Sequence, residues 1–166
     1  MRVIGIDPGI ATTGYGVVER AAGGCRAISV GVVRTAGDVP QERRLFELNR
    51  KLVELMLVWQ PEAASVERLF FNANVRTAMA VGQASGVALA AAAEVGVSVT
   101  TYTPTEVKSS VVGAGAASKR QVGAMVSRLL GLPGAPTPAD AADACALALC
   151  HLARTGLTRA IAGAQR

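Results

Sequence analysis

The first 35 residues contain three strand-like segments joined by very short turns, and this arrangement most constrains the fold. Branched and apolar residues fill Val3–Asp7, Thr13–Glu19 and Cys25–Thr35, a composition typical of β-strands. Pro-Gly and Gly-Gly pairs separate them, and such dipeptides mark turns. Because short links join antiparallel neighbours, this region predicts a three-stranded antiparallel meander.

The rest of the chain alternates helical and strand-like segments, and this order predicts the fold class. Leucines at helical spacing predict a helix at Pro40–Trp59 with Asp38 as its N-terminal cap. The segments that follow are strands at Ala63–Phe70 and Val97–Tyr102 and helices at Asn74–Val95, Thr105–Val112, Ser118–Leu130 and from about Pro138 to Ala153. A meander followed by strands joined through helices predicts an α/β protein with a mixed five-stranded sheet, three antiparallel strands then parallel ones, and helices on both faces. A ribonuclease-H-like fold has this order.

Length and composition favour a single domain. A chain of 166 residues suits one domain, which we expect over residues 1–154, with a flexible tail at 155–166. We expect no signal peptide and no membrane partner, because no apolar run is long and uninterrupted enough to cross a bilayer. The three cysteines lack C-x-x-C spacing, which argues against a zinc site or disulfide framework and favours a cytoplasmic location. The net charge of +5 weakly favours a polyanionic partner.

Four acidic side chains stand at the ends of predicted elements. Asp7 ends the first strand, and Glu67 ends the strand Ala-Ala-Ser-Val-Glu. Asp140 and Asp143 lie three residues apart on one face of the last helix. That helix is apolar nearly all round, so a lone buried carboxylate in it would be costly. Carboxylates at neighbouring strand ends and at a helix start can converge on one point.

Oxygen-only ligands of this kind suit Mg²⁺ or Mn²⁺. Two such ions roughly 3.5–4 Å apart can clamp the attacking water and the leaving oxygen of a phosphodiester. Simpler interpretations remain open for each acid taken singly. Asp7 can bond the turn that follows it, and Glu67 can pair with a neighbouring arginine. Asp140 can close a capping box with Thr137.

Five stretches of the chain together resemble the RuvC family of Holliday-junction resolvases. They are GIDPGIATTGYGVV, SVERLFF, VGQASGVALAAA, TPTEVKSSVVGAGAASKRQV and ADAADACALALCH, and they span most of the chain from Met1 to about Leu152. The resemblance implies a ribonuclease-H-like endonuclease that nicks two opposed strands of a four-way DNA junction symmetrically as a homodimer, leaving 3′-hydroxyl and 5′-phosphate ends. It also implies Mg²⁺, with Mn²⁺ as a substitute, two ions per subunit, and the branch-migration proteins RuvA and RuvB as partners.

The resemblance also implies roles for individual residues. The catalytic metal would be held by Asp7, Glu67, Asp140 and Asp143. The lysines near the scissile phosphate would be Lys108 and Lys119. Phe70 would lie at the junction centre, where an aromatic ring can stack on an unpaired base. Apart from the resemblance, Phe71 beside it and the positively charged Arg76 and Arg120 are further candidate DNA contacts. The implied dimer interface is one face of the helix at Asn74–Val95, formed by Ala78, Gly82, Ser85, Gly86 and Leu89.

Other interpretations of these features stay open at this point. The aromatic pair can belong to the core, and the small-residue helix face can pack on the protein's own sheet. A different ribonuclease-H-like nuclease would cut ordinary duplex or RNA, and a non-cleaving module would only bind junctions. Four acids facing phosphates would hinder a pure binding module. An actin-like ATPase would need a second, similar domain, for which this chain is too short.

Overall fold

The computed structural model of the chain describes residues 1–68 and 75–164, with the side chains of residues 1–68 and 78–156. Its elements are β1 (Arg2–Asp7), β2 (Thr12–Ala21), β3 (Gly24–Arg34), α1 (Gln41–Trp59), β4 (Ala63–Glu67), α2 (Val75–Glu94), β5 (Ser98–Tyr102), α3 (Pro104–Val112), α4 (Lys119–Leu130) and α5 (Ala139–Ala164). One sheet has the strand order β3-β2-β1-β4-β5. The first three strands are antiparallel, whereas β4 and β5 run parallel to β1. The predicted mixed five-stranded sheet is therefore confirmed.

Helices cover both faces of the sheet, as predicted. One apolar core lies between the sheet and α3, α4 and α5, and the other lies between the sheet and α1 and α2. Strand β1 is buried between them: Val3 packs into the first core, and Ile4 and Ile6 pack into the second. Because side chains alternate across a strand, Asp7 shares the face of Val3 and Gly5, which is the face covered by α5.

Glycines in β1 and β2 let α5 lie directly on the sheet. A Cβ atom at Gly5 would stand 2.8 Å from the backbone nitrogen of Ala148, and one at Gly14 would overlap the carbonyl of Asp140. Gly16 meets the same helix at Cys145. Any larger side chain at these positions would push the helix away from the strands. This close contact sets the height of the first turns of α5 above the end of β1.

Several predicted boundaries of helices and strands were wrong. Helix α5 continues to Ala164, well past the predicted end near Ala153; the division into a domain and a flexible tail stays a prediction. The N-cap of α1 is Pro40, whose position makes no side-chain cap bond, so Asp38 does not cap this helix. Strand β4 ends at Glu67, and the end of the predicted strand, Leu69 and Phe70, lies outside the described residues.

Across residues 1–68 and 75–164, no helix has both the length and the continuous apolar surface needed to cross a bilayer.

Candidate active site

Two of the four acids lie side by side at one edge of the sheet. Strands β1 and β4 are parallel neighbours with Ile6 opposite Val66, so Asp7 and Glu67 follow at the same level. Helix α5 crosses above this edge and contributes Asp143. These three acids line one cavity of about 300 Å³ together with Lys108 and Lys119. The structure thus brings together five of the residues predicted for catalysis.

Contacts within the fold hold α5 in place over the strand ends. The hydroxyl of Ser65, in the middle of β4, donates a buried hydrogen bond of 2.9 Å to the carbonyl of Leu147. Leu147 lies one helical turn after Asp143, so this bond and the glycines beneath the helix fix where Asp143 stands. Ser65 and the role of these glycines were not predicted; the available signal was Gly5 in β1 and the alternate glycines Gly14 and Gly16 in β2.

The two lysines come from the helices that cover the same face. Lys119 is the first residue of α4, and Ser118 caps that helix in a reciprocal capping box with Gln121. The ammonium nitrogen Nζ of Lys119 donates to Oδ2 of Asp143 at 2.8 Å. Lys108 lies in α3 and lines the cavity from the other side. Two positive charges therefore face the cluster of acids.

Burial and repulsion from neighbouring acids raise the pKa of two of the carboxyl groups, Asp7 and Glu67. Burial, then the charges of Glu67, Asp143 and Asp140, raise the pKa of Asp7 to about 7, against an opposing effect of Lys119. Burial and the Asp143 charge also raise the pKa of Glu67, while the two lysines act in the opposite direction. A cluster of this kind has more negative charge than its surroundings neutralise, and a bound cation would relieve it.

Asp140 stands apart from the other three acids. It is the second residue of α5 and is not among the residues lining the cavity, although its charge contributes to the raised pKa of Asp7. The capping box with Thr137 is wrong, because α5 begins at Ala139 and Pro138 directly precedes it. Asp140 therefore lies one position too early in the helix to close that box.

The groups that Asp7 and Glu67 were expected to bind in the simpler interpretations are hydrogen-bonded to other residues. The turn after β1 is held by Thr13, whose hydroxyl donates to the carbonyl of Gly9 at 2.6 Å. The guanidinium of Arg68 hydrogen-bonds Thr101 on β5. The turn and the arginine next to Glu67 are thus stabilised by residues other than these two acids.

The acids that line the cavity offer only carboxylate oxygens, which are the ligands that Mg²⁺ and Mn²⁺ prefer. As the side chains lie, however, no three His, Cys, Asp or Glu residues among those described are already grouped closely enough to hold one ion. One oxygen of Asp143 is engaged by Lys119. Metal binding at this cavity would therefore require the side chains to move, and the backbone already places them at its rim.

The predicted DNA contacts are only partly visible. Phe70 and Phe71 lie outside the described residues, and Arg76 belongs to α2 at a position whose side chain is not described. Arg120 follows Lys119 in α4 and is exposed. It is not among the residues that line the cavity, and its role as a DNA contact stays a prediction.

The predicted dimer face of α2 is partly open. Its buried side, against the sheet, is formed by Ala84, Ala88, Ala91 and Ala92. Of the predicted interface residues, Ala78, Gly82 and Ser85 are half-buried, whereas Gly86 and Leu89 are exposed. A Cβ atom at Gly86 would meet nothing within 4 Å. Packing on the protein's own sheet thus uses a different side of this helix.

Comparisons with known proteins agree on one family. The family described as "Crossover junction endodeoxyribonuclease RuvC" matches residues 3–151. A protein of that name from Salinispora arenicola is 51% identical over 165 residues, covering 99% of this chain and 94% of its own length. Another, from Syntrophomonas wolfei, is 47% identical over 152 residues, covering 92% of this chain and 88% of its own length.

Solved structures give the same result. The RuvC structure of Thermus thermophilus matches with a TM-score of 0.89 and 39% identity, covering 95% of this chain and 97% of the other. The same organism's RuvC in complex with Holliday junction substrate matches with a TM-score of 0.90 and 40% identity, covering 95% of this chain and 96% of the other.

Proposed function

Because this chain belongs to the RuvC family of crossover junction endodeoxyribonucleases, we propose that it resolves four-way DNA junctions by nicking two opposed strands. The nicks leave 3′-hydroxyl and 5′-phosphate ends and serve homologous recombination and DNA repair in the cytoplasm. The observation that carries this proposal is the single cavity lined by Asp7, Glu67, Asp143 and two lysines at one edge of a ribonuclease-H-like sheet. The complex of the Thermus thermophilus RuvC with Holliday junction substrate supports the choice of DNA.

The cofactor we propose is Mg²⁺, with Mn²⁺ as a substitute and two ions per subunit during catalysis. Its proposed ligands are Asp7, Glu67 and Asp143 from the cavity, together with Asp140 from the first turn of α5. Bound ions would supply Lewis-acid stabilisation of the charge that develops on the phosphate, and they would lower the pKa of a bound water. The raised pKa of Asp7 supports this assignment, since a carboxylate cluster that resists ionising alone becomes stable when a cation joins it.

The chain's own residues then bind and orient the DNA strand. Lys108 and Lys119 put two positive charges at the cavity, where they attract the scissile phosphate and offset the charge that develops on it. The carboxylates hold their place because α5 is seated on Gly5 and Gly14 and tied to Ser65. Phe70, Phe71, Arg76 and Arg120 remain our candidates for further contacts with the junction.

A twofold dimer would present two such cavities to the two opposed strands. We propose that the pairing surface is the outer face of α2. Its exposed residues support this: Met79 is 62% exposed and Leu89 is 40% exposed, and Gly86 lets another backbone approach closely. RuvA and RuvB are the partners that we propose from the family relationship.

The test is cleavage of a synthetic four-way junction compared with a linear duplex that carries the sequence of one arm. Strands labelled at one end are incubated with the protein in Mg²⁺ or in EDTA, with Asp7→Asn as the inactive control. The proposal predicts paired nicks in opposed strands of the junction, only in Mg²⁺, with ends that a ligase can rejoin. Equal cutting of the duplex would indicate a general nuclease, and binding without any cutting would indicate a junction-binding module.

A further inference from the structure

Among the described side chains, one ion pair joins the lysines of the cavity to its acids. The ammonium of Lys119 lies 2.8 Å from Oδ2 of Asp143, the length of a strong charge-assisted hydrogen bond. That oxygen is one of only two through which Asp143 could ligate an ion. The ammonium of Lys119 therefore occupies a carboxylate oxygen that a bound metal ion would use as a ligand.

The side chain of Lys119 can move away from Asp143 without disturbing the fold. Its backbone is anchored as the first residue of α4 behind the capping box of Ser118, but its side chain is 79% exposed, whereas that of Asp143 is only 28% exposed. A long lysine stem can swing into solvent without moving the helix. Asp143 is more buried, and it stands on α5, which is held on the sheet at Gly5 and Ser65, so its movement is limited to rotation of a short side chain.

We propose that Lys119 is the resident counterion of this site, and that a divalent ion must displace it from Asp143 to bind. A divalent ion ligated by the Asp143 carboxylate would repel the ammonium at Oδ2 and weaken its hydrogen bond, because two cations close to one carboxylate repel each other. The displaced ammonium is then free to pair with a DNA phosphate beside the cavity. Metal and DNA thus favour each other through one side chain, and such coupling is reciprocal. The inference rests on the proposed function, in that the cavity takes a divalent ion.

Lys108 provides a matched comparison within the same cavity. It lines the cavity as Lys119 does, and its charge also acts on Glu67. Among the described side chains, Lys108 forms no ion pair with an acid. Removing its charge weakens the positive field of the site without freeing a ligand oxygen. The two lysines therefore separate displacement of a counterion from a general effect of charge.

The experiment measures Mn²⁺ binding to the metal-stripped protein without DNA, from the electron paramagnetic resonance signal of free Mn²⁺. The variants are Lys119→Met and Lys108→Met, because methionine keeps most of the stem and removes the charge. Lys119→Gln is a second uncharged variant, and thermal unfolding in EDTA verifies that each is folded. We expect both Lys119 variants to bind Mn²⁺ about tenfold more tightly than wild type, within the usual range for coupled sites, and Lys108→Met to change by less than about threefold.

The second measurement is the rate of junction cleavage at saturating Mn²⁺, which should change in the opposite direction to Mn²⁺ affinity. Both Lys119 variants should cut more slowly than wild type although they bind the metal more tightly. Unchanged or weaker Mn²⁺ binding by the Lys119 variants overturns the inference, and so does an equal gain in Lys108→Met, which would reveal a field effect alone. If wild type binds Mn²⁺ and cuts junctions, such results remove only this inference. If no variant binds Mn²⁺ and wild type does not cut, the proposed function fails as well.

Discussion

The contact between Gly14 and the first turn of α5 predicts that one added methyl group will impair cleavage. Gly14 lies opposite Asp7 in the β1–β2 register, and its missing side chain leaves room for the backbone of Asp140. A Cβ at this position would overlap the Asp140 carbonyl and lie 3.1 Å from the Ala141 nitrogen, whereas ordinary contact begins near 3.4 Å. The first turn of α5 would have to retreat by roughly 1 Å to restore normal van der Waals separation.

Such a retreat moves Asp140 and Asp143 away from Asp7 while leaving most of the core in place. Overpacking of this kind costs about 1–3 kcal/mol of stability, which a folded domain can tolerate. Misplacement of catalytic groups by about 1 Å can cost on the order of 100-fold in rate. We therefore expect Gly14→Ala to fold, to bind the junction with nearly unchanged affinity, and to cut it about 100-fold more slowly.

The assay is the single-turnover cleavage rate of a four-way junction at saturating protein in Mg²⁺, with thermal unfolding measured alongside. The matched control is Gly37→Ala, because a Cβ at Gly37 would meet nothing within 4 Å; it should cut like wild type. A folded Gly14→Ala protein that cuts within about threefold of the control would refute the reasoning that close helix–sheet contact sets the acids in place.

Three further predictions concern the acids and the dimer. Asp143→Asn and Asp140→Asn should each fold and bind junctions but lose cleavage by orders of magnitude, and the double variant should be little worse than either, because residues that act as one unit are non-additive; a fast-cutting Asp143→Asn protein would contradict this. In EDTA, the raised pKa of Asp7, about 7 against its ordinary 3.8, means that between these values the unfolded chain releases this proton and the folded chain keeps it. Stability measured by urea unfolding should therefore fall as the pH rises through this window, and Asp7→Asn should flatten that fall. Gly86→Arg should give a folded monomer in sedimentation and lose paired nicking; an intact dimer would locate the interface elsewhere.

Most of the helices and strands could be predicted from the sequence, because they depend on patterns among neighbouring residues. Strand composition and turn dipeptides predicted the meander, and leucines at helical spacing predicted the helix that leads into the later strands. These are properties of neighbouring residues, so they survive without knowledge of distant contacts. The acids at the ends of β1 and β4 could be found in the same way, because an acid that terminates a buried strand is visible in one dimension. The boundaries were less predictable: Asp38 and Thr137 are good capping residues in isolation, but neither caps its helix in the structure.

Tertiary structure decided which of these groups meet. The parallel pairing of β1 with β4, strands far apart in the chain, brings Asp7 beside Glu67. The seat of α5 on Gly5 and Gly14 decides that Asp143 faces the cavity while Asp140 lies beside it. The ion pair between Lys119 and Asp143 joins two helices whose relative position no local pattern encodes. The sequence by itself thus determined the kinds of element and the chemistry at their ends, since these follow from side-chain periodicity and turn geometry. Only the packing of the whole chain determined the distances between these side chains. Those distances set the raised pKa of Asp7 and decide which charged groups form ion pairs.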